Sequence, residues 1–312
     1  MQDPGCRMED GGPMISVVIV NWNSGLFLEN CVRSLLQNAP GCEVCIVDNA
    51  STDSSLRFAD ELKPGILIHR NSRNAGFAAA NNTGWRASKG SHILFLNPDT
   101  ECFPGSVNHL KEALADENIW AVGGQLVGRS GKPQTTFNVR PFPTIGRVAA
   151  EMFFIEKIRP HQLSPQETDV DQPAAACLMV TRKALETLGG FDEAFYPAWF
   201  EDVDLCRRIR NLGGRIRYKP AARFLHHGGY SLSCLSRQDF LEIYHSNQIR
   251  YFRKHHGTGA ALNAKRLIVA GLMLRSALSA VLPPSSSESR TASVKAFWNA
   301  ARRIAKLPEA GS

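Results

Sequence analysis

The stretch FEDVDLCRR, Phe200–Arg208, packs Glu201, Asp202 and Asp204 into four consecutive positions directly after the aromatic run FYPAWF. Such a cluster is either the acidic first turn of a surface helix, where negative charge suits the helix dipole, or a place where one carboxylate takes a proton in a reaction. Other chemistry-bearing residues stand at the ends of apolar runs. Asp48 closes EVCIVD and opens the turn-forming cluster DNASTDSS. A carboxylate there can accept the N3–H of a pyrimidine base or cap the next helix, and Asp53 is able to do the capping instead. Asp99, in LFLNPDT, follows another apolar run that Pro98 ends. One carboxylate, completed by diphosphate oxygens and waters, suits a hard divalent cation such as Mg²⁺ or Mn²⁺. RNSRNAGFAAANN sets Arg70 and Arg73 beside Asn74, with Gly76 and three alanines letting a ligand approach the backbone. Arg73 is the better candidate for an anion, and Asn74 suits an N-cap equally well. His226 and His227 end RFLHHGGYS; alone, a histidine at a strand end is more often structural than a metal ligand.

These residues need a frame that brings strand ends together. MISVVIVNWN is a continuous β-branched run, and in the following SGLFLENCVRSLLQ the residues Leu28, Val32, Leu35 and Leu36 recur at helical spacing. The alternation continues through EVCIVD, GILIHR, GFAAANNTGWRAS and HILFLNPD. It predicts an α/β fold, a mainly parallel sheet with helices on both faces. Ligands of such sheets bind at the carboxyl ends of the strands, which is where Asn21, Asp48, Arg70, Arg73 and Asn97–Asp99 collect. Between about Gly128 and Gln172 the pattern weakens into proline-rich and polar sequence around one amphipathic piece, and long irregular stretches are usually functional or mobile. Order returns with AACLMVTRKALETLGGFDEAF: a strand, a helix over Arg182–Leu188 stopped by Gly189–Gly190, then the acidic stretch on a helix running to Leu212.

Composition narrows the choice further. The 36 lysines and arginines exceed the 29 acids by seven, with no block of like charge to suggest a nucleic-acid tail; a phosphate-bearing substrate or an anionic membrane surface fits better. The cysteines, Cys6, Cys31, Cys42, Cys45, Cys102, Cys177, Cys206 and Cys234, lack the paired spacing of a disulfide framework, which points to a reducing cytoplasm. CEVC lies inside an apparent strand and reads as core packing. There is neither a signal-peptide core nor a run of about 18 apolar residues. No G-x-G-x-x-G follows the first strand and no P-loop motif occurs.

Taken in order, ISVVIVNWNS, VDNASTDSS, RNAGFAAANN, LFLNPDT, AACLMVTRKALETLGGFDEAF, EDVDLCRRIRNLGGRIRYKP and HHGGYS resemble the family 2 glycosyltransferases of the GT-A fold. The likeness is to their non-processive bacterial, rhamnosyltransferase-like branch and covers roughly residues 14–256. The resemblance implies that Asp48 reads the nucleotide base and that Arg73, Asn97 and Asn21 complete the nucleotide-sugar site. It makes Asp99 the direct ligand of a divalent metal, Mg²⁺ or Mn²⁺, with His226 in support of metal or diphosphate. Asn97 stands where many members carry the first acid of a D-x-D motif. Asp202 then resembles the catalytic base, Glu201 a residue that positions the acceptor, and Asp204 a structural acid with Arg207 and Arg208 one turn ahead. The implied reaction is an inverting transfer from a nucleoside diphosphate sugar, rhamnose being plausible, to a hydroxyl of a glycan or lipid-linked acceptor in cell-surface polysaccharide synthesis. The rival readings are a metal-dependent nucleotidyltransferase and a non-catalytic sugar-nucleotide-binding module.

The expected organisation is a disordered extension over 1–13, a nucleotide-binding half at about 14–127, an acceptor-binding half at about 128–256, and a helical tail over 257–312. In that tail AKRLIVAGLMLRSALSAVLPP is too interrupted by Arg275 to span a bilayer. Its helical spacing places Lys265, Arg275, Ser276 and Ser279 on one arc broken by Ile268, with most apolar residues elsewhere. Such a segment either docks on the catalytic domain or lies peripherally on the inner face of the plasma membrane.

Overall fold

Seven consecutive buried residues, Ile15–Asn21, form the first strand, β1, because a strand covered on both faces can be apolar without alternation. The computed structural model describes residues 14–62, 66–154, 164–228, 235–281 and 289–308; the expected N-terminal extension and the end of HHGGYS lie outside them. Around β1 stand β2 (Glu43–Asp48), β3 (Ile66–Arg70) and β4 (His92–Leu96), all parallel. The sheet continues through β10 (Cys177–Thr181), β6 (Ile119–Val127), β11 (Arg215–His226) and β5 (Thr100–Cys102), giving the order β3-β2-β1-β4-β10-β6-β11-β5, with β8 (Thr168–Asp169) paired to β11. β10 runs antiparallel to both its neighbours, and β6 and β11 are parallel.

Helix α1 (Leu26–Asn38) buries Leu28, Cys31, Val32 and Leu35 against Ile15, Val17 and Ile19. The expected fourth member of that stripe, Leu36, is 39% exposed, since the apolar arc of a helix is about 100° wide and position 36 lies at its margin. Helix α2 (Phe77–Ala87) covers the other face; at Gly84 a Cβ would collide with the Val18 side chain, so only glycine permits this approach. Truncating a core leucine such as Leu35 to alanine would cost about 2–5 kcal/mol.

The register positions the site. Asn21, Asp48 and Arg70 lie side by side at the carboxyl ends of β1, β2 and β3. Antiparallel pairing of β5 with β11 sets His226 opposite Thr100, one residue after Asp99.

Contacts divide the chain into two compact units, 1–141 with 161–194 and 201–230, and 142–160 with 195–200 and 231–312. The second contains α5 (Ile145–Met152), α8 (Arg237–Val281, broken at Gly257 where φ is 83°) and α9 (Arg290–Ala305). Its core joins Val148, Met152, Ile249, Phe252, Ile268, Leu272 and Ile304. The arc of Lys265, Arg275 and Ser276 faces inward. Lys265 Nζ donates to Leu307 O (2.6 Å), Ser276 Oγ to Val294 O (3.0 Å) and Arg275 Nη2 to Glu151 O (2.6 Å). Met273, Leu274 and Val281 are left exposed. The reason is steric: Ala261, Ala264 and Gly271 lie on that arc, and small side chains let neighbouring helices come close, so that their backbone carbonyls reach the polar heads. No helix among the described residues is long and apolar enough to cross a membrane.

Candidate active site

At the β1–β2 end, Asn21 is fully buried and its Nδ2 reaches Asp48 Oδ1 (2.9 Å), Ser51 Oγ (3.0 Å) and Ser55 Oγ (2.9 Å). Asn21 therefore orients Asp48. Asp53 does not cap the helix that follows it: its carboxylate accepts from Gly25 N, ahead of α1 (2.9 Å), and from Ser55 N (3.1 Å), and the short helix at 57–60 begins at Leu56 with no side-chain cap. Burial opposes ionisation of Asp53, yet its hydrogen bonds hold the carboxyl below the usual range. Asp48 caps that helix no more than Asp53 does, and it keeps acceptor capacity at the strand end. Arg73 is exposed on the loop before α2. That loop is shaped by Asn49, a residue sequence reasoning passed over: its Oδ1 accepts from Asn71 Nδ2 (3.0 Å) and Ala75 N (2.9 Å), and its Nδ2 donates to Asn74 Oδ1 (2.8 Å). Asn74 in turn accepts from Gly76 N (2.9 Å). The available signal was position alone, the residue after a strand-end acid.

Asp99 is 7% exposed, and His226 Nε2 lies 3.5 Å from its Oδ1. The protonation of this pair follows from Gln134. Gln134 Nε2 donates to the backbone carbonyl of His226 (2.8 Å), which fixes the amide so that Oε1 faces His226 Nδ1 at 2.8 Å. Nδ1 must then carry the proton, leaving the Nε2 lone pair toward Asp99. Burial holds the imidazole below its usual pKa, with Asp99 opposing and His227 assisting, so the neutral ring dominates at pH 7. A lone pair and a carboxylate oxygen facing each other at 3.5 Å are complementary to a cation between them, and a second hydrogen bond behind a ligating histidine is the usual support of such a site. The residues fit a divalent metal. Among the described residues no three His, Cys, Asp or Glu side chains form a full cage; an open set matches a hard cation completed by diphosphate oxygens. Phe137 stacks on His226 (5.0 Å between centroids, 17°). Phe137 and Gln134 come from the irregular stretch, where no periodicity marked them.

At α7 (Glu201–Asn211) the three acids have different surroundings. Asp204 is fully buried and bound by Arg208 Nε (2.8 Å), while the other Arg208 nitrogens donate to Leu188 O (3.0 Å) and Gly190 O (2.8 Å). Glu201 is 5% exposed, and its Oε2 has no hydrogen-bond partner among the described residues. Burial, with Asp202 and Asp204 adding repulsion, raises its pKa well above the ordinary carboxylate range. Asp202 is partly exposed, and its Oδ1 and Oδ2 accept from Val203 N (2.8 Å) and Ala175 N (3.3 Å). The next residue, Ala176, accepts Asn97 N on its carbonyl (3.1 Å). One dipeptide, Ala175–Ala176, therefore ties Asp202 to the segment that carries Asn97 and Asp99.

A conserved-domain description, glycosyl transferase family 2, matches residues 16–189. This chain belongs to that family. It is a glycosyltransferase of GT-A fold, which sets aside the nucleotidyltransferase and the non-catalytic module. An N-acetylglucosaminyl-diphospho-decaprenol L-rhamnosyltransferase of Mycobacterium tuberculosis is 27% identical over 293 residues, 85% of this chain and 94% of that protein. A pre-mycofactocin glycosyltransferase of the same organism is 28% identical over 215 residues, 68% of this chain and 42% of its own. Among solved structures, GalNAc-T7 with UDP, GalNAc and Mn²⁺ superposes at TM-score 0.59 and 15% identity, over 96% of this chain and 57% of that one. The mannosyltransferase PcManGT of Pyrobaculum calidifontis, with GDP-Man and Mn²⁺, gives 0.52 and 19%, over 94% and 87%. These two likenesses speak to the fold.

Proposed function

We propose that the glycosyltransferase moves a sugar, rhamnose first among candidates, from a nucleoside diphosphate to a hydroxyl of a lipid-linked glycan acceptor with inversion, in cell-surface polysaccharide synthesis. The observation that carries this reading is the Ala175–Ala176 link, which sets a partly exposed, ionisable Asp202 beside the Asn97–Asp99 segment. The sugar and acceptor rest on the relative's name and its match across most of both chains.

Asp48 and Arg73 bind the nucleotide, Asn21 orienting Asp48, and Asn97 the sugar-nucleotide near Asp99. Asp99 and His226 would hold Mg²⁺ or Mn²⁺, which when bound neutralises charge on the departing diphosphate. Asp202 takes the proton of the acceptor hydroxyl as its oxygen bonds to C1 and the bond from C1 to the diphosphate oxygen breaks, a general-base contribution of about 10²–10⁴-fold. Nucleoside diphosphate leaves, and one displacement inverts the anomeric centre. Glu201, buried and with its carboxyl pKa raised, supports the acceptor side without taking the proton.

On this reading the protein works in the cytoplasm, peripheral on the inner face of the plasma membrane. In support, Met273, Leu274 and Val281 of α8 are exposed, and on α9 exposed Trp298 shares its helix with exposed Lys295, Arg302 and Lys306, a composition suited to an anionic interface. Release of nucleoside diphosphate from a panel of sugar nucleotides, with N-acetylglucosaminyl-diphospho-lipid as acceptor and the product anomer read by NMR, tests the reaction. Retained configuration, or no acceptor-stimulated release with any donor, refutes it. Liposome flotation tests the location: full-length chain that stays with the soluble fraction on anionic vesicles refutes the membrane placement.

A further inference from the structure

One cavity of about 390 Å³ in the sheet unit, of mixed polar and apolar lining, has no part in the chemistry above, and its size is that of a small-ligand site. Arg140, Ser164, Thr168, Asp171, Arg210 and Tyr218 line it. Asp169, also on the wall, is committed to Arg215 (2.7 Å) and Arg217 (2.7 Å). Arg140 and Arg210 are exposed and have no ion-pair partner among the described residues. Two uncompensated guanidiniums at one cavity form a ready anion receptor, since their donor forks match phosphate geometry.

Its place in the sheet connects it to the reaction. Tyr218 pairs with Gly123, Gly123 with Leu178, and Leu178 with Phe95, two residues before Asn97. The cavity therefore sits three strand spacings, roughly 14 Å, across the sheet from β4. Each wall also runs into the candidate site. Arg140 lies over Phe137 (5.5 Å), the ring stacked on His226. Thr168–Asp171 lead through Gln172 to Ala175, which reaches Asp202. Arg210 is on α7, about two helical turns beyond Asp202.

We propose that this cavity binds the glycosyl phosphate portion of the acceptor. Arg140 and Arg210 hold phosphate oxygens, while Asp171, Thr168 and Ser164 pair with sugar hydroxyls. Asp171 also gives selectivity, because a carboxylate repels a bare anion and welcomes one that brings hydroxyl donors. The proposal rests on the reading of a lipid-linked, diphosphate-bearing acceptor, and its test separates the two.

Calorimetric titration of the full chain with N-acetylglucosamine 1-phosphate, N-acetylglucosamine and inorganic phosphate is compared for the parent, R140A/R210A and Arg210→Lys. The expected result is at least tenfold tighter binding of the glycosyl phosphate than of either fragment. R140A/R210A should lose that advantage with sugar-nucleotide affinity and Tm unchanged, Arg210→Lys should fall between, and in transfer assays the acceptor KM should rise while kcat holds. If the parent prefers the glycosyl phosphate and the double variant does so equally, the cavity is the wrong place while the acceptor reading stands. Inorganic phosphate binding as tightly as the glycosyl phosphate also overturns it, leaving a plain anion site. If the parent shows no preference and transfers sugar to a neutral glycoside, the acceptor reading itself falls and this inference with it.

Discussion

The acids at the strand ends and the acids at the start of α7 are handled in opposite ways. Asp48 is held by Asn21 of the neighbouring strand and Asp99 faces His226 of β11, so their geometry is a product of sheet register. Glu201, Asp202 and Asp204 share one helical turn, yet one is buried with an oxygen that has no hydrogen-bond partner among the described residues, one is half-open on backbone N–H groups and one is locked to an arginine. Register can place a charge; only local environment can make neighbouring carboxylates differ in protonation and role.

The sharpest way to break this contrast is Asp202→Asn, which keeps the shape of the side chain and removes its basicity. Transfer should fall about 10²–10⁴-fold with donor affinity unchanged, both measured on the same preparation. If Asp202→Asn stays active while Glu201→Gln is dead, the base is the wrong member of the turn.

Next in size is Arg208→Ala, which strands the Asp204 carboxylate and two backbone carbonyls in the interior. Removing one partner of a buried pair costs about 3–5 kcal/mol, readable as a lower urea midpoint. Asp204→Asn should leave transfer within a few-fold of the parent, and a loss matching that of Asp202→Asn would erase the distinction between them.

Gln134→Leu probes the strand-end side. Without the acceptor on Nδ1 the His226 tautomer is no longer fixed, and Mn²⁺ affinity should weaken about 10–100-fold. Titration of donor binding with Mn²⁺ measures this, and an unchanged curve would show that the amide does not set the ring.

The pH dependence of stability comes last. Glu201 has its folded pKa raised well above 4.5, chiefly by burial. Its favourable contribution is present below about pH 4.5 and is lost as pH climbs toward the folded value, at up to about 1.4 kcal/mol per pH unit. Glu201→Gln should therefore gain on the parent in urea melts as pH rises from 4.5 to 8, while its transfer rate lies between those of Asp202→Asn and Asp204→Asn. Parallel melting curves across that range would show that Glu201 is ionised.

Much of this was legible because strand-then-helix periodicity is written in residue types: β1 to β4 and α6 (Arg182–Leu188) stand where the alternation and the Gly189–Gly190 stop put them. The i to i+4 spacing of Asp204 and Arg208 likewise announced their pairing. Gln134, Phe137 and Asn49 were not legible, since each acts through one long-range hydrogen bond or ring contact that leaves no period behind. In the tail the sequence left the facing of the Lys265–Ser276 arc open, and the structure packs it inward, where its polar heads reach backbone carbonyls.

The interior thiols have a practical consequence. Cys31, Cys45, Cys102, Cys177 and Cys206 are buried and free, and desolvation raises Cys45 and Cys102 to about 12 and pushes the other three up as well. Since only an accessible thiolate alkylates, these positions can be labelled only when the sheet opens. Cys42, half-buried at the mouth of β2, is the one described thiol that is not fully buried. Iodoacetamide mass shifts thus give the chain a built-in clock for opening, able to tell a variant that has lost its chemistry from one that has lost its fold.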